Sequence, residues 1–269
     1  MPELPEMETY KNLLNEKLKG MLIKDVVINR EKSINVPVSQ FISDVTGTRI
    51  IEVERAAKQL IFRLDNGKSL LLHLMLGGLM YIGNEQDSPD RTKQIELVFE
   101  KNRLYFIGLR LGYLHLYNQT NLKVELADLG PDPLSEEFTY QRFEELVLSK
   151  KGMLKTTLVN QQFIAGIGNC YSDEICFYAR LLPTRKFNKL EGSEVKSLYT
   201  SIQSVLKEAI RLGGYMEMKL FNSDSLTGGY NDNCMVYDRE GEPCPRCKEQ
   251  IKKEIISSRK MFFCLKCQK

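Results

Sequence analysis

The sequence predicts an α+β protein, in which an N-terminal helix and an antiparallel β-sandwich are followed by a helical domain and a small cysteine-rich module. Three observations carry this prediction. About eight short apolar runs alternate with turn residues in the first half of the chain, helical periodicity replaces them after Pro133, and two Cys-x2-Cys pairs lie near the end. The expected segments are 1–133, 134–230 and 231–269.

Length and composition are those of an ordinary globular protein. The chain has 269 residues, a net charge of +3 and a pI of about 8.3, which permit a nucleic-acid partner without requiring one. Between Lys150 and Lys219 there are eleven Lys and Arg residues and six Asp and Glu residues, so this segment is the better candidate for a polyanion-binding surface. The acidic first residues do not resemble a signal peptide and no run is apolar enough to span a bilayer, so we expect a cytoplasmic protein.

The first segment begins with a predicted helix, because apolar residues recur at helical spacing between Glu6 and Leu18 and Gly20 supplies a C-terminal stop. The Asn66-Gly67 pair between two apolar runs is a strong signal for a β-hairpin. Strands are expected over 21–28, 48–53, 60–64, 69–74, 79–82, 95–99, 104–107 and 113–117.

Helices are expected after Leu129-Gly130-Pro131-Asp132-Pro133, because the prolines and the glycine of this stretch end the β region. Ser135, followed by two glutamates, predicts the N-cap of an amphipathic helix that extends to Val147. Further helices are predicted over 153–160, 170–179 and 193–212, and Gly213-Gly214 closes the last one.

The stretch Pro2-Glu3-Leu4-Pro5-Glu6 carries the most distinctive chemistry. If Met1 is removed, the nitrogen of Pro2 becomes a secondary amine with a pKa of about 8, which can attack an aldehyde carbon and form an iminium ion. Helical spacing places Glu3 and Glu6 on one side as candidate proton carriers. The alternative is a plain helix entry, since proline and acidic residues both favour first helical turns.

Four cysteines form two Cys-x2-Cys pairs separated by sixteen residues: Cys244, Cys247, Cys264 and Cys267. In a reducing compartment this spacing predicts a tetrahedral zinc site, with disulfides as the alternative. The residues between the pairs suffice for a β-hairpin, and Arg259 falls near its predicted tip. An arginine on a rigid tip suits a DNA groove, although a merely solvated arginine fits the same place.

Two further places are candidates for phosphate binding. Lys58 lies just before a predicted strand, where it contacts a phosphate from the rim of a groove or remains a solvated edge residue. The loop Gly166-Ile167-Gly168-Asn169 joins two predicted helices, and its backbone N–H groups can approach an anion at a helix N-terminus. Lys155 on the preceding helix strengthens that hypothesis, and a tight turn is the alternative.

Taken together, these elements resemble the formamidopyrimidine-DNA glycosylase and endonuclease VIII family of base-excision repair enzymes, over the whole chain and in order. The first motif is closer to the formamidopyrimidine branch, because the endonuclease VIII branch usually has glycine in place of Leu4. The matching motifs are Pro2–Glu6, Ala57-Lys58, His73-Leu74, Leu129–Leu134, Gly166–Asn169 and the four-cysteine finger with Arg259.

The resemblance implies a helix–two-turn–helix domain between the sandwich and a zinc finger, with double-stranded DNA bound in the cleft between the domains. It also implies that Pro2 attacks C1′ of a flipped-out damaged nucleotide, that the base leaves, and that β- and δ-elimination follow. Glu3 and Glu6 would carry protons, and one zinc ion would be structural. Phosphate contacts would come from Lys58 at the catalytic centre and from His73, Lys155, Asn169 and Arg259.

The sequence departs from the family in the residues that fill the gap left by the flipped base, usually a methionine, an arginine and a phenylalanine. Met75 matches the methionine, and Gly108-Leu109-Arg110-Leu111-Gly112 aligns with the usual Arg-Arg-Phe-Gly. Leu109 then replaces the arginine that reads the opposite base, Leu111 replaces the phenylalanine wedge, and Arg110 is a further DNA contact. We therefore expect a changed or broadened preference for lesion and opposite base.

Tyr215 and the stretch Asn222–Asn231 differ from relatives in a loop that contacts the flipped base. Two other functions stay open: an endonuclease VIII-type enzyme for oxidised pyrimidines, and a non-catalytic protein that binds damaged DNA. Retention of Pro2 with both glutamates argues against the second, because binding needs none of them. We expect a nucleoid-associated monomer without membrane contact, acting on double-stranded DNA that contains a damaged base or an abasic site.

Overall fold

The computed structural model describes residues 1–269, which form two compact units. The first comprises residues 1–127 and 216–229, and the second comprises residues 128–215 and 230–269. The cysteine-rich module therefore belongs to the same unit as the helices, and part of the predicted helical segment belongs with the sandwich. The domain boundaries at 133 and 230 remain predictions. No helix combines the length and apolar character needed to cross a bilayer.

The first unit contains the predicted sandwich of two antiparallel sheets. Its strands are β1 Asp25–Ile28, β2 Ile50–Ala56, β3 Gln59–Leu64, β4 Ser69–His73, β5 Leu79–Gly83, β6 Lys93–Val98, β7 Arg103–Ile107 and β8 Tyr113–Tyr117. One four-stranded sheet has the order β1-β6-β7-β5, and the other has the order β2-β3-β4-β8. The Asn66-Gly67 turn joins β3 to β4 as predicted, with Gly67 at φ +80°.

Apolar side chains from both sheets meet in one core. Phe62 of β3 and Phe106 of β7 pack edge to face, with ring centroids 6.2 Å apart. The first helix, α1, spans Leu4–Leu18 and buries Met7 and Tyr10 near its start in the same cluster. The sandwich thus fixes the start of α1, where the candidate chemistry lies.

Two short helices of this unit escaped prediction. Helix α2, Val38–Val45, follows Pro37 and buries Phe41 and Val45, one helical turn apart. Helix α3, Gln119–Glu125, starts at Asn118, whose side chain accepts a hydrogen bond from the N–H of Asn121 at 2.8 Å. Helix α3 is too short to show a sustained apolar period, whereas Val38, Phe41, Ile42 and Val45 have helical spacing and were the available signal for α2.

The second unit is helical with a two-stranded hairpin. Its elements are α4 Tyr140–Leu148, α5 Leu154–Leu158, α6 Asn169–Tyr178, α7 Gly192–Arg211, β9 Lys252–Ile256 and β10 Arg259–Phe263. The predicted N-cap at Ser135 is wrong: the cap of α4 is Thr139, which accepts from the N–H of Arg142. The carbonyl of Phe138, the residue before this cap, accepts a hydrogen bond from the Tyr199 hydroxyl of α7 at 3.0 Å.

Residues 216–229 follow α7 in the chain but fold onto the sandwich. Leu220 lies fully buried in the sandwich core, and its carbonyl accepts from the N–H of Ile82 at 2.7 Å. The Asp224 carboxylate accepts from the backbone N–H groups of Leu220, Leu226 and Thr227 and from the Thr227 hydroxyl. Burial raises the pKa of Asp224, but these hydrogen bonds outweigh it and hold the pKa below its usual value.

Replacing Asp224 by alanine is expected to release this loop, because several backbone N–H groups lose their buried acceptor. Such a loss costs about 1 to 3 kcal/mol in the free energy of unfolding. Hydrogen exchange of the amides of residues 218–228 measures the release directly. Asp224→Asn keeps an acceptor and should retain most of the protection, and equal protection in the alanine variant and the native protein would contradict this account.

Candidate functional site

Glu3 and Glu6 form a reciprocal capping box at the start of α1. The backbone N–H of Glu3 donates to Oε2 of Glu6 at 2.7 Å, and the Glu3 carboxylate accepts from the backbone N–H of Glu6. Their exposed fractions are 2% and 0%, and Pro2 is buried as well. The helix-entry interpretation is correct, and the same contacts hold a fixed carboxylate on the residue that follows Pro2.

The loop 216–229 reaches this helix start through Tyr10. The Tyr10 hydroxyl donates to the carbonyl of Met218 at 2.9 Å. Burial, the Glu6 carboxylate and Asp224 all raise the pKa of Tyr10. The phenol therefore stays protonated and acts as a hydrogen-bond donor that joins α1 to the loop.

Lys58 lies in the two-residue turn between β2 and β3, beside Ala57 at φ +55°. Arg55 ties this turn to α1, because its guanidinium donates to Glu8 at 2.7 Å and to the Ala57 carbonyl at 3.4 Å. Lys58 is only 7% exposed. Burial and then the Lys58 ammonium lower the pKa of His73 to about 4, so this imidazole is neutral near pH 7 and its Nε2 is buried without a hydrogen-bond partner.

Met75 and Leu109 lie on two turns that touch each other. A Cβ on Gly108 would approach the carbonyl oxygen of Gly77 to 2.4 Å, and Gly108 has φ +71°. This bend places Leu109 in the apolar core with no exposed surface, whereas Leu111 is 65% exposed. The expectation that Leu109 contacts DNA is therefore corrected by its burial. Met75 is half-buried at φ +52°.

Lys155 is fully buried in the second unit. Its ammonium donates to Oδ1 of Asp173 and to the carbonyl of Asn169, both at 2.7 Å. This burial corrects the expectation that Lys155 contacts a phosphate. Through the second of these hydrogen bonds, Lys155 instead holds Asn169, the first residue of α6. Asn169 directly follows the Gly166-Ile167-Gly168 loop and is half-buried.

Sequence reasoning missed two buried acids on α6, Asp173 and Glu174. Asp173 accepts from the N–H of Phe262 in β10 at 3.1 Å, and Glu174 accepts from three consecutive N–H groups at 235–237, at 2.8 to 2.9 Å. Burial raises the pKa of both carboxyls, and Lys155 opposes this for Asp173. Two adjacent acids within the apolar run of this helix were the available signal. Together they attach the cysteine-rich module to α6.

The four cysteines of the module converge. Their sulfur atoms lie within 4.8 Å of one another, with 3.8 Å between Cys244 and Cys267 and 3.5 Å between Cys247 and Cys264. A tetrahedral zinc with Zn–S bonds of about 2.3 Å needs sulfurs about 3.8 Å apart, so the set fits one structural zinc ion. Arg259 opens β10 directly after the Ser257-Ser258 turn and is exposed, as predicted for the hairpin tip.

His73 should make stability pH-dependent. Its pKa in the folded chain, about 4, lies below its usual value near 6.5, so the unfolded chain binds more protons between these values. The stabilising contribution is complete above pH 6.5 and is lost as the pH falls towards 4, by about 2 to 3 kcal/mol. Urea unfolding across this pH range gives the free energy of unfolding of native protein and of His73→Gln. Plotted against pH, the two free energies should diverge, and parallel plots would refute this pKa for His73.

Lys155→Met should lower the free energy of unfolding by about 3 to 5 kcal/mol, because the buried Asp173 carboxyl loses its counter-ion and a hydrogen-bond donor. Removing both charges in Lys155→Met with Asp173→Leu should be less damaging than the single change. Urea denaturation measures both. The single variant Asp173→Leu completes the cycle. If the loss of unfolding free energy in the double variant equals the sum of the two single losses, the two side chains do not act as a pair.

Three family models match successive parts of the chain. The N-terminal domain of formamidopyrimidine-DNA glycosylase matches residues 1–113, and the H2TH domain of the same enzyme matches residues 129–219. A zinc finger found in FPG and IleRS matches residues 241–269. The matches follow the order of the elements described above.

Relatives that match over the whole chain indicate the same family as these three models. A formamidopyrimidine-DNA glycosylase of Listeria monocytogenes is 34% identical, with 100% of both chains covered, and one of Pelotomaculum thermopropionicum is 33% identical, covering 100% of this chain and 99% of the relative. Wild-type Lactococcus lactis Fpg in complex with DNA containing N7-benzyl-Fapy-dG superposes with a TM-score of 0.92 at 28% identity over 100% of both chains. The chain belongs to the formamidopyrimidine-DNA glycosylase family.

Proposed function

We propose that this DNA glycosylase excises oxidised bases of the formamidopyrimidine and 8-oxoguanine type from duplex DNA and then cleaves the strand, with Pro2 as nucleophile after removal of Met1. The observation that carries the proposal is the capping box directly after Pro2, which holds two buried carboxylates at the start of α1. An α-amino group with a pKa of about 8 is partly unprotonated near neutrality, as the attack requires.

In the proposed reaction, the Pro2 nitrogen forms a bond to C1′ of the damaged nucleotide. The glycosidic bond breaks, and the base leaves with its electron pair and takes up a proton. The C1′–O4′ bond of the sugar ring then breaks, the ring oxygen takes up a proton, and the nitrogen lone pair forms the C1′=N bond of an iminium ion. This iminium ion makes the 2′ hydrogen acidic, so β-elimination expels the 3′ phosphate and δ-elimination then expels the 5′ phosphate. Glu3 is the proton carrier for the ring oxygen or the leaving base, and Glu6 assists it or orders water.

Phosphate contacts are proposed for Lys58, His73, Arg110, Asn169 and Arg259. Arg110 and Arg259 are exposed, and Asn169 lies in the first turn of α6, where N–H groups favour an anion. Lys58 and neutral His73 lie close together at the turn next to α1, as the lowered pKa of His73 reflects. Such contacts make affinity fall with rising salt.

The proposed substrate is double-stranded DNA with a damaged base or an abasic site. A Lactococcus lactis Fpg in complex with DNA containing an abasic site matches this chain with a TM-score of 0.92 at 27% identity over 99% of both chains, which supports the proposal. The relatives named above are bacterial, so we place the activity in the cytoplasm at the nucleoid, carried out by a monomer. The burial of Leu109 supports a changed opposite-base preference, since an arginine would normally stand there.

Borohydride trapping on a duplex with one abasic site tests the nucleophile. Native protein should give a covalent adduct that peptide mapping places on residue 2, and Pro2→Gly should give much less. Glu3→Gln should slow base excision by about 100-fold or more, the usual contribution of a positioned proton carrier. Mass spectrometry verifies that Met1 is absent.

Glu16→Gln is the matched control, because Glu16 is an exposed acid on the same helix. It should trap and excise like the native protein. Intact DNA binding with a verified Pro2 terminus and no adduct would refute the lyase proposal and favour a protein that only binds damaged DNA.

A further inference from the structure

The first unit has an open pocket of about 490 Å³ at the turns that carry Leu76 and Leu111. Two arginines line it, Arg91 from the loop before β6 and Arg110 from the turn after β7, together with Gln94 of β6. The Oε1 atom of Gln94 accepts from the N–H of Leu109 at 3.0 Å, so the pocket is built on the same contacts that bury Leu109. No role proposed above uses Arg91.

Arg91 is held against both turns. Its guanidinium donates to the carbonyl of Gly77 at 2.9 Å. A Cβ on Gly108 would lie 2.6 Å from the same terminal nitrogen, so the guanidinium rests directly on the Gly108 backbone. A guanidinium has five N–H donors, and this hydrogen bond uses only one of them. Arg91 is exposed, so the other donors are available to a ligand.

One exposed leucine lines the pocket, and a second one, Leu111, directly follows its lining residue Arg110. Leu76 is 69% exposed and Leu111 is 65% exposed, on turns that touch through Gly77 and Gly108. Large apolar side chains at the tips of turns can enter a base stack as wedges. A planar guanidinium beside them presents paired donors, which match base edges that carry two acceptors. Together these features fit a nucleobase, which has an apolar face and a polar edge.

We propose that Arg91 reads the acceptor edge of the base opposite the lesion, while Leu76 and Leu111 fill the stack beside it. This inference rests on the proposed function, which brings duplex DNA to the chain. Arg91 is favoured over Arg110 because its hydrogen bond to Gly77 orients the guanidinium before DNA binds, which lowers the entropy lost on binding. Leu109 cannot take this role, since its side chain is buried and apolar.

Single-turnover excision on four duplexes that differ only in the base opposite the lesion tests the proposal. The readout is the ratio of rates among the four duplexes within each variant, which does not depend on the folded fraction. Native protein should discriminate against adenine, which presents a donor beside its acceptor. Arg91→Ala should shrink this ratio by about 5- to 150-fold, the range of one bidentate base contact. Arg91→Lys should resemble Arg91→Ala, because it keeps the charge and loses the planar fork.

Lys101→Ala is the matched control, because it removes one positive charge from an exposed position in the turn at the other end of the β6–β7 hairpin. It should keep the native ratios. The proposal would be overturned if native protein excised equally fast on all four duplexes, or if Arg91→Ala kept the native ratios. A uniform loss of rate on all four duplexes would also overturn it, because that result indicates a phosphate contact. Native protein that excises no base on any duplex would instead refute the proposed function.

Discussion

Both units depend on one constraint: a charged group that is buried must keep its hydrogen-bond partners. An ionised carboxylate away from water is tolerable only if donors surround it. At the start of α1 the donors are backbone N–H groups of the helix itself, in the box between Glu3 and Glu6. On α6 they come from Lys155 and from distant backbone at Phe262 and 235–237. Each buried acid thus fixes a specific backbone arrangement.

This constraint has different consequences in the two units. In the first, it immobilises the residues around Pro2, a part of a chain that would otherwise fray. A proton carrier there is useful only if its geometry is already set, because proton transfer needs hydrogen-bond reach. In the second, Asp173 joins the start of α6 to the zinc-bearing hairpin, so Asn169 and Arg259 are attached to one framework. Lys155 thus holds Asn169 at the start of α6.

The turn after β7 buries an apolar side chain. Leu109 has no exposed surface, and Gly108 permits the bend with its positive φ. Beside it, the Arg91 guanidinium rests on the Gly108 backbone. Leu220 and Asp224 likewise secure the loop 216–229 to the sandwich. Packing thus links side chains that are distant in the chain.

The sequence by itself determined the strands of the sandwich, the longer helices, the zinc ligands and the start of α1. These features depend on local spacing: alternating apolar runs, two Cys-x2-Cys pairs and a proline-glutamate entry. Only the tertiary structure decided which charged and apolar side chains face solvent. Lys155 looked like a phosphate contact and Leu109 like a DNA contact, yet both are buried. Burial depends on partners distant in the chain, such as Asp173 for Lys155 and Gln94 for Leu109, and no local pattern records them.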